Sequence, residues 1–302
     1  MTTANANAAR PDVYTRITDA IVSQLEAGVR PWQRPWSAEH TEGKIVRPLR
    51  SCGTPYRGVN VLSLWLAAAD KGYASPFWFT FNQAKDLGGF VKKGEHGSPV
   101  VYANSFTKTE KDEQGDEVEH EIHFLRGYTV FNAEQVDGLP ERFQAKAPAA
   151  TQPEDRIGYA DAFFRATGAE VKHGGDRAYY GVLADRIQMP PFVAFKDRES
   201  YYATLAHEAA HWTKHPKRLA RDFEQKTWGD EGYAREELVA EIAAAFLCAD
   251  LGLCLTPREY HAAYLASWLT VLKNDKRAVF QAAAHAQRAA DYLHELQPKP
   301  TA

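Results

Sequence analysis

The chain has 302 residues, 44% hydrophobic and 25% charged, enough to bury the cores of two domains of ordinary size. A net charge of −3 excludes a uniformly basic nucleic-acid coat but leaves room for a local basic patch. Three cysteines, Cys52, Cys248 and Cys254, are too few and too scattered for a disulfide framework or a zinc knuckle, so a reducing cytoplasm is the expected compartment.

The opening stretch MTTANANAARPD has no apolar run of the kind a signal peptide carries. The longest apolar runs, such as 242–247, fall far short of a membrane span, and no membrane partner is expected. Ile17, Ile21, Val22 and Leu25 recur at helical spacing and predict a first helix, with Gly28 placed to stop it. Between residues 30 and 57 the basic residues Arg30, Arg34, Lys44, Arg47, Arg50 and Arg57 face only Glu39 and Glu42, with Trp32, Trp36 and Tyr56 interleaved. Aromatic faces stack on unpaired bases while arginine and lysine meet phosphates, so this composition suits a single nucleic-acid strand. Aromatic residues between prolines also build small cores, and that alternative stands beside it.

Residues 61–69 predict a second helix, and 77–81 a β-prone run leading into a short helix over 82–87 that Gly88 and Gly89 close. Trp65, Trp78 and Phe79 read as core. Lys92, Lys93 and Gly94 add a second basic point at a turn, and Gly58, Gly94 and Gly97 would let a bound strand approach the backbone. Strands are expected over 100–106 and 122–131, joined by a polar, acidic tip over 108–121. These elements make a small α+β domain with an antiparallel sheet. A proline- and alanine-rich change of character over 138–157 marks a linker, giving domains at 1–140 and 158–302 with 141–157 between them.

The second domain reads as mainly helical. A helix over 159–167 ends at Gly168; two short strands follow at 178–182 and 185–190; then come helices over 199–214 and 234–251 and a last pair within 256–293. Residues 201–215 read YYATLAHEAAHWTKH. His207 and His211, four apart on one helix, project from one face about 6 Å apart and can reach a single metal. Glu208 follows the first histidine, where a general base would address water in an open coordination position. A catalytic zinc takes three protein ligands, and 236–243 (EELVAEIA) offers Glu237 and Glu241 one turn apart on an alanine-lined face. The E-x-x-A-E spacing resembles the ligand helix of HExxH-plus-Glu peptidases. That likeness makes Glu237 the ligand and Glu241 the group orienting a histidine, with the reverse assignment open. His215 lies about 12 Å from His207 along the same helix and is set aside. Tyr179, Tyr180 and Tyr233 are candidates for stabilising an oxyanion.

PWQRPW at 31–36, YRGVNVLSLW at 56–65, WFTFNQAKDLGGFVKKGEHG at 78–97 and GYTVFNAEQ at 127–135, together with 201–219 and 236–247, resemble the ArdC-type antirestriction family over nearly the whole chain. The resemblance implies a single-stranded-DNA-binding first domain and a zincin-like metallopeptidase second domain. It further implies that the protein shields incoming plasmid DNA from host restriction during conjugation. His207, His211 and a glutamate carry over as ligands of zinc, or of another divalent ion such as manganese or cobalt, and Glu208 as the base. Trp32, Arg34, Trp36, Arg47, Arg50, Tyr56, Arg57, Lys92 and Lys93 are the candidate DNA contacts. Lys214 departs from the glycine expected before the last histidine, outside the metal shell. Three functions stay open: an antirestriction DNA-binding protein, a DNA-dependent protease acting on restriction or other DNA-bound proteins, and a binding protein with a vestigial metal site.

Overall fold

A computed structural model describes residues 12–30, 32, 46–111, 117–143, 153–224, 227, 229–253 and 261–299. Arg34, Trp36, Lys44, Cys254 and most of the expected linker lie outside them. Helix α1 (Val13–Glu26) starts where the Asp12 side chain accepts a hydrogen bond from the Thr15 amide, and it buries Ile17, Ile21, Val22 and Leu25 as their period requires. Strand β1 (Leu49–Arg50) leads to α2 (Val59–Lys71). Between them Gly58 adopts φ 57°, ψ −137°, a conformation closed to other residues, and its amide donates to Gln287 Oε1 at 3.1 Å.

Strand β2 (Phe77–Phe79) runs into α3 (Phe81–Asp86) through a Thr80–Gln83 capping box. After β3 (Phe90–Val91), strands β4 (Ser98–Lys111) and β5 (Glu117–Asn132) form a long hairpin, and β6 (Val136–Asp137) pairs back on β3. The main sheet has the order β1-β2-β5-β4 and is antiparallel except where β1 runs parallel to β2. Pairing extends beyond the expected strands into the expected tip, to Lys111 opposite Glu117. Thr107, Thr109 and Val118 are β-branched, and the terminal pair is oppositely charged. Helix α2 caps the free edge of β4: the Asn60 amide accepts from Val101 N–H (2.7 Å) and donates to Val101 C=O (2.8 Å), standing in for a neighbouring strand. Gly97 serves this same sheet and not a bound strand. A Cβ there would collide with Thr129 and stand 2.8 Å from the Val130 carbonyl.

The second half follows α4 (Pro153–Ala166) with a three-stranded sheet ordered β7 (Glu170–His173), β9 (Arg186–Met189), β8 (Tyr179–Gly181). Helices α5 (Arg198–Trp212), α6 (Glu231–Leu251), α7 (His261–Asn274) and α8 (Ala278–Glu295) complete the chain. The α6 face carrying Ala240, Ala243, Ala244 and Ala245 is buried, as are Ala282, Ala283, Ala286, Ala289 and Ala290 of α8, and small residues let helices pack closely. Among the described residues no helix is long and apolar enough to cross a membrane.

The main core is continuous between the two halves. Trp32 packs edge-on against Trp268 (5.8 Å between centroids) and Trp65 against Phe246 (5.9 Å). Arg47 is buried. Its Nε and Nη2 each lie 2.9 Å from the Asp250 carboxylate, Nη1 lies 3.2 Å from Gln287 Oε1, and the guanidinium sits 4.1 Å over the Phe246 ring. Three expected DNA contacts are therefore corrected: Trp32 (0% exposed), Tyr56 (3%) and Arg47 (7%) are spent on the core and offer no face to a base or phosphate. Truncation at this position gives a clear expectation. Arg47→Ala leaves Asp250 with His294 Nε2 (3.1 Å) as its remaining partner and should lower unfolding stability in urea by about 1.5–3 kcal/mol. A loss under about 1 kcal/mol would show that the guanidinium does not tie the halves together.

Candidate metal centre

Helix α5 begins at Asp197, whose carboxylate accepts from the Ser200 amide at 2.7 Å, and its middle is enclosed by Leu205, Ala206, Ala209 and Ala210. In that setting His207, Glu208 and His211 are all buried, and α6 places Glu236, Glu237 and Glu241 opposite them. The Nε2 atoms of His207 and His211 stand 3.1 Å apart. Glu237 lies across both, Oε2 at 3.5 Å from His207 Nε2 and Oε1 at 3.3 Å from His211 Nε2. These separations match the edge of a tetrahedron, about 3.3 Å, whose centre is a metal bonded at about 2.0–2.1 Å. Among the described residues His207, His211 and Glu237 are the one group that brings three such donor atoms together, and the cluster could hold a divalent metal.

The outward nitrogen of each imidazole meets a further carboxylate. His211 Nδ1 and Glu236 Oε1 are 2.9 Å apart; His207 Nδ1 and Glu241 Oε1 are 3.3 Å apart, off the line of a good hydrogen bond. Backing of this kind fixes a ligand's tautomer and orientation and raises its basicity. Glu236 is itself gripped by Arg221, whose Nε lies 2.7 Å from Oε2 and Nη2 2.9 Å from Oε1. Arg221 also donates to Thr213 Oγ1 (3.1 Å) and to the Ala210 carbonyl (2.9 Å). Glu236, Glu237 and Glu241 thus each have an electrostatic reason to be in this apolar helix pair.

Charge follows from that geometry. Burial opposes a charge on His211, yet Glu237 and the hydrogen-bonded Glu236 outweigh it and push its pKa up to about 9. Burial likewise opposes ionisation of Glu236 and Glu237, but Arg221 and His211 hold the first down to about 2, and the two histidines hold the second far below the usual carboxylate range. Without a metal the proton on His211 balances Glu237; a bound cation takes over that role.

Of the three candidate tyrosines, Tyr233 is the one beside the cluster. Its hydroxyl lies 3.0 Å from that of Tyr264, and burial together with the facing Glu237 pushes its pKa up. Tyr180 is committed to Asp185 and Arg218, and Tyr179 is exposed. His215 sits in the turn after α5, accepting from the Lys217 amide, apart from the cluster. Arg30, counted in the sequence among basic residues suited to DNA, is instead half-buried with Glu241 as a charge partner, so the first half reaches the metal centre. Sequence reasoning missed the parts played by Glu236 and Arg221. A third glutamate in so apolar a helix was a usable signal for Glu236; Arg221 lies in the segment between α5 and α6 and gave none.

The remaining expected DNA contacts are placed differently from one another. Arg50 and Arg57 are exposed, Arg50 with its guanidinium 5.4 Å from the Tyr56 ring centroid and Arg57 paired with Asp291. Lys92 donates to the Glu134 carbonyl at 2.8 Å and lies 3.7 Å from Asp137, while Lys93 is exposed. Arg34 and Trp36 fall outside the described residues.

Residues 11–131 match the family model of the N-terminal domain of anti-restriction factor ArdC, and residues 158–285 match that of a zincin-like metallopeptidase. Protein y4eC of Sinorhizobium fredii is 41% identical over 302 residues, covering 98% of this chain and 96% of that protein. The DNA primase TraC of Escherichia coli is 36% identical over 301 residues, covering 95% of this chain but 27% of the primase. The metal-free crystal structure of the antirestriction protein ArdC from plasmid R388 superposes with a TM-score of 0.78 at 49% identity, covering 95% of this chain and 98% of that one. Its Mn(II)-bound structure gives 0.76 at 47%, with the same coverage.

Proposed function

Because the chain belongs to the ArdC antirestriction family, we propose that it binds single-stranded DNA through residues 1–140 and shields incoming DNA from host restriction during conjugation. The setting is the cytoplasm, and residues 158–302 contribute a metallopeptidase centre. The observation that carries this is the convergence of His207, His211 and Glu237 beside Glu208, in a chain whose first half matches the ArdC N-terminal domain. His207, His211 and Glu237 would hold zinc, or manganese or cobalt in its place, and the Mn(II)-bound ArdC structure supports a divalent ion. A metal so held would polarise a scissile carbonyl. Glu208 takes the proton of the attacking water and returns it to the leaving amine. Tyr233 donates to the oxyanion, and Glu241 and Glu236 orient the two histidines.

A second reading, a DNA-dependent metalloprotease that cleaves restriction or other DNA-bound proteins, is favoured by one feature. Glu208 is buried and follows His207 directly in α5, and a purely structural metal site has no use for a general base. One experiment tests both. Protein loaded with Zn²⁺ or Mn²⁺ is incubated with single-stranded DNA carrying a bound protein, and protection of DNA from a restriction endonuclease is measured in parallel. If the protease reading holds, cleavage appears only with DNA and metal, and Glu208→Ala lowers its rate roughly 100- to 10,000-fold, the usual yield of a positioned acid–base group. If protection persists in Glu208→Ala and no cleavage is seen, the antirestriction role rests on DNA binding. Loss of protection with no DNA affinity in the unmodified protein would sink both.

A further inference from the structure

Of the basic, aromatic segment that the sequence offers to DNA, Trp32 and Tyr56 lie in the core, so stacking platforms are sought among the other described residues. Among the described residues of the first half the large exposed aromatic side chains are Phe81, Phe90 and Tyr102. Phe81 and Phe90 share their elements and turns with Asp86, Glu134 and Asp137, and the nearby Lys92 is already engaged by two of these. Tyr102 stands in different company. It lies on the β4–β5 hairpin directly opposite Arg126, with the Val100–Tyr128 pair on one side and the Asn104–Phe124 pair on the other.

Directly opposed residues and residues two apart share a sheet face. One face therefore presents Tyr128, Arg126 and Phe124 along β5, at intervals of about 6.8 Å, with Val100, Tyr102 and Asn104 along β4. The Tyr102 and Phe124 rings are 6.4 Å apart, and Asn104 Nδ2 donates to the Tyr102 hydroxyl at 2.6 Å. Toward the sheet the face closes on Val100 and Val130, both 0% exposed; outward it opens at Tyr102, which is 50% exposed. The opposite face is covered at Gly127 by Val13 of α1, and the β4 edge by Asn60 and Ser63 of α2. At the sheet end Tyr128 is half-buried, with Arg50 and Tyr56 as its electrostatic neighbours, so the exposed Arg50 extends the stripe. The stem segments 98–107 and 122–131 contain no aspartate or glutamate, and their one fixed charge is Arg126.

Resting on the single-stranded-DNA reading above, we propose that this hairpin face is the strand-binding track: Tyr102 and Phe124 stack bases, Arg126 and Arg50 meet phosphates, and Asn104 holds the Tyr102 hydroxyl. Aromatic faces interleaved with guanidinium groups on an acid-free surface have the complementarity that a polyanion with exposed π-faces requires. A protein or lipid partner would be met by a continuous apolar patch, which this alternating face does not form.

The test uses the full-length protein and a fluorescently labelled oligothymidylate, with anisotropy recorded across a salt series. Tyr102→Ala is expected to weaken binding roughly 5- to 100-fold, and Tyr102→Phe to retain it, since the ring and not the hydroxyl does the stacking. Arg126→Ala should lower the slope of log K against log salt by about 0.7, the value of one phosphate contact on a single strand. Phe90→Ala, outside the track, should bind as the unmodified protein does. If the unmodified protein binds and Tyr102→Ala and Arg126→Ala bind equally well, the track is wrong while the DNA reading stands. If the unmodified protein does not bind, the DNA reading fails and the track with it.

Discussion

Arg221→Ala is expected to cost the folded protein about 3–5 kcal/mol and, in the same variant, to weaken divalent metal binding roughly 10- to 100-fold. Both effects have one origin. The Arg221 and Glu236 side chains are 1% and 5% exposed, joined by two hydrogen bonds and far from solvent that could screen a lone carboxylate. Removing the guanidinium leaves Glu236 charged, with His211 as its remaining partner and both Arg221 hydrogen bonds lost, and also releases the Thr213 hydroxyl and the Ala210 carbonyl. Breaking a buried pair from one side is the costly operation, because the remaining charge keeps its desolvation penalty and loses its partner. The metal effect follows because Glu236 sets the orientation and basicity of His211. Two measurements separate these contributions: urea unfolding in the presence of a chelator, and zinc titration of the folded protein. Adding Glu236→Gln to Arg221→Ala removes the remaining charge, so stability should recover while metal affinity stays low. A double variant as unstable as the single one would show that Arg221 acts through packing and not through Glu236.

That pair also shows where sequence reasoning stops. The i, i+4 histidines, the following glutamate and the acidic pair on the next helix are local patterns with a fixed helical period. The structure brings His207, His211 and Glu237 within 4.8 Å of one another. The helical stripe of α1 and the β4–β5 hairpin were legible for the same reason: burial writes its periodicity into neighbouring residues. Partners far apart in sequence leave no such trace. Arg47 and Asp250 are 203 positions apart, and nothing in the composition of the basic, aromatic segment says whether its side chains face water or a helix of the other half. The choice between a nucleic-acid surface and a small core was therefore undecidable locally, and tertiary packing gave Trp32, Tyr56 and Arg47 to the core. Strand β7 escaped for a different reason. Glu170–His173 is short and largely polar, with Val171 as its one aliphatic residue, and is held by pairing to β9 and not by a buried face of its own.

Substituting the two candidate glutamates should give losses of different size. Glu237→Gln is expected to weaken zinc binding roughly 100- to 1,000-fold, if about 10–16 kcal/mol of binding energy in a four-ligand site is shared among its ligands. Glu241→Gln should weaken it roughly 10- to 100-fold, the usual effect of losing a group that orients a ligand. The geometry sets that order. Glu237 spans both inward nitrogens, at 3.5 Å and 3.3 Å, whereas Glu241 meets His207 on the outward Nδ1. Glutamine keeps the shape of either side chain, so the difference reports charge and donor strength, not a cavity. Competition with a chromophoric chelator at fixed pH measures both constants. If Glu241→Gln proves the more damaging, Glu241 is the ligand and Glu237 the orienting group. In that case His207 must turn its ring to present Nδ1, a change that the imidazole NMR shifts of the zinc-bound protein would register directly. The expected order keeps Nε2 of both histidines on the metal, each backed by its own carboxylate, Glu241 for His207 and Glu236 for His211.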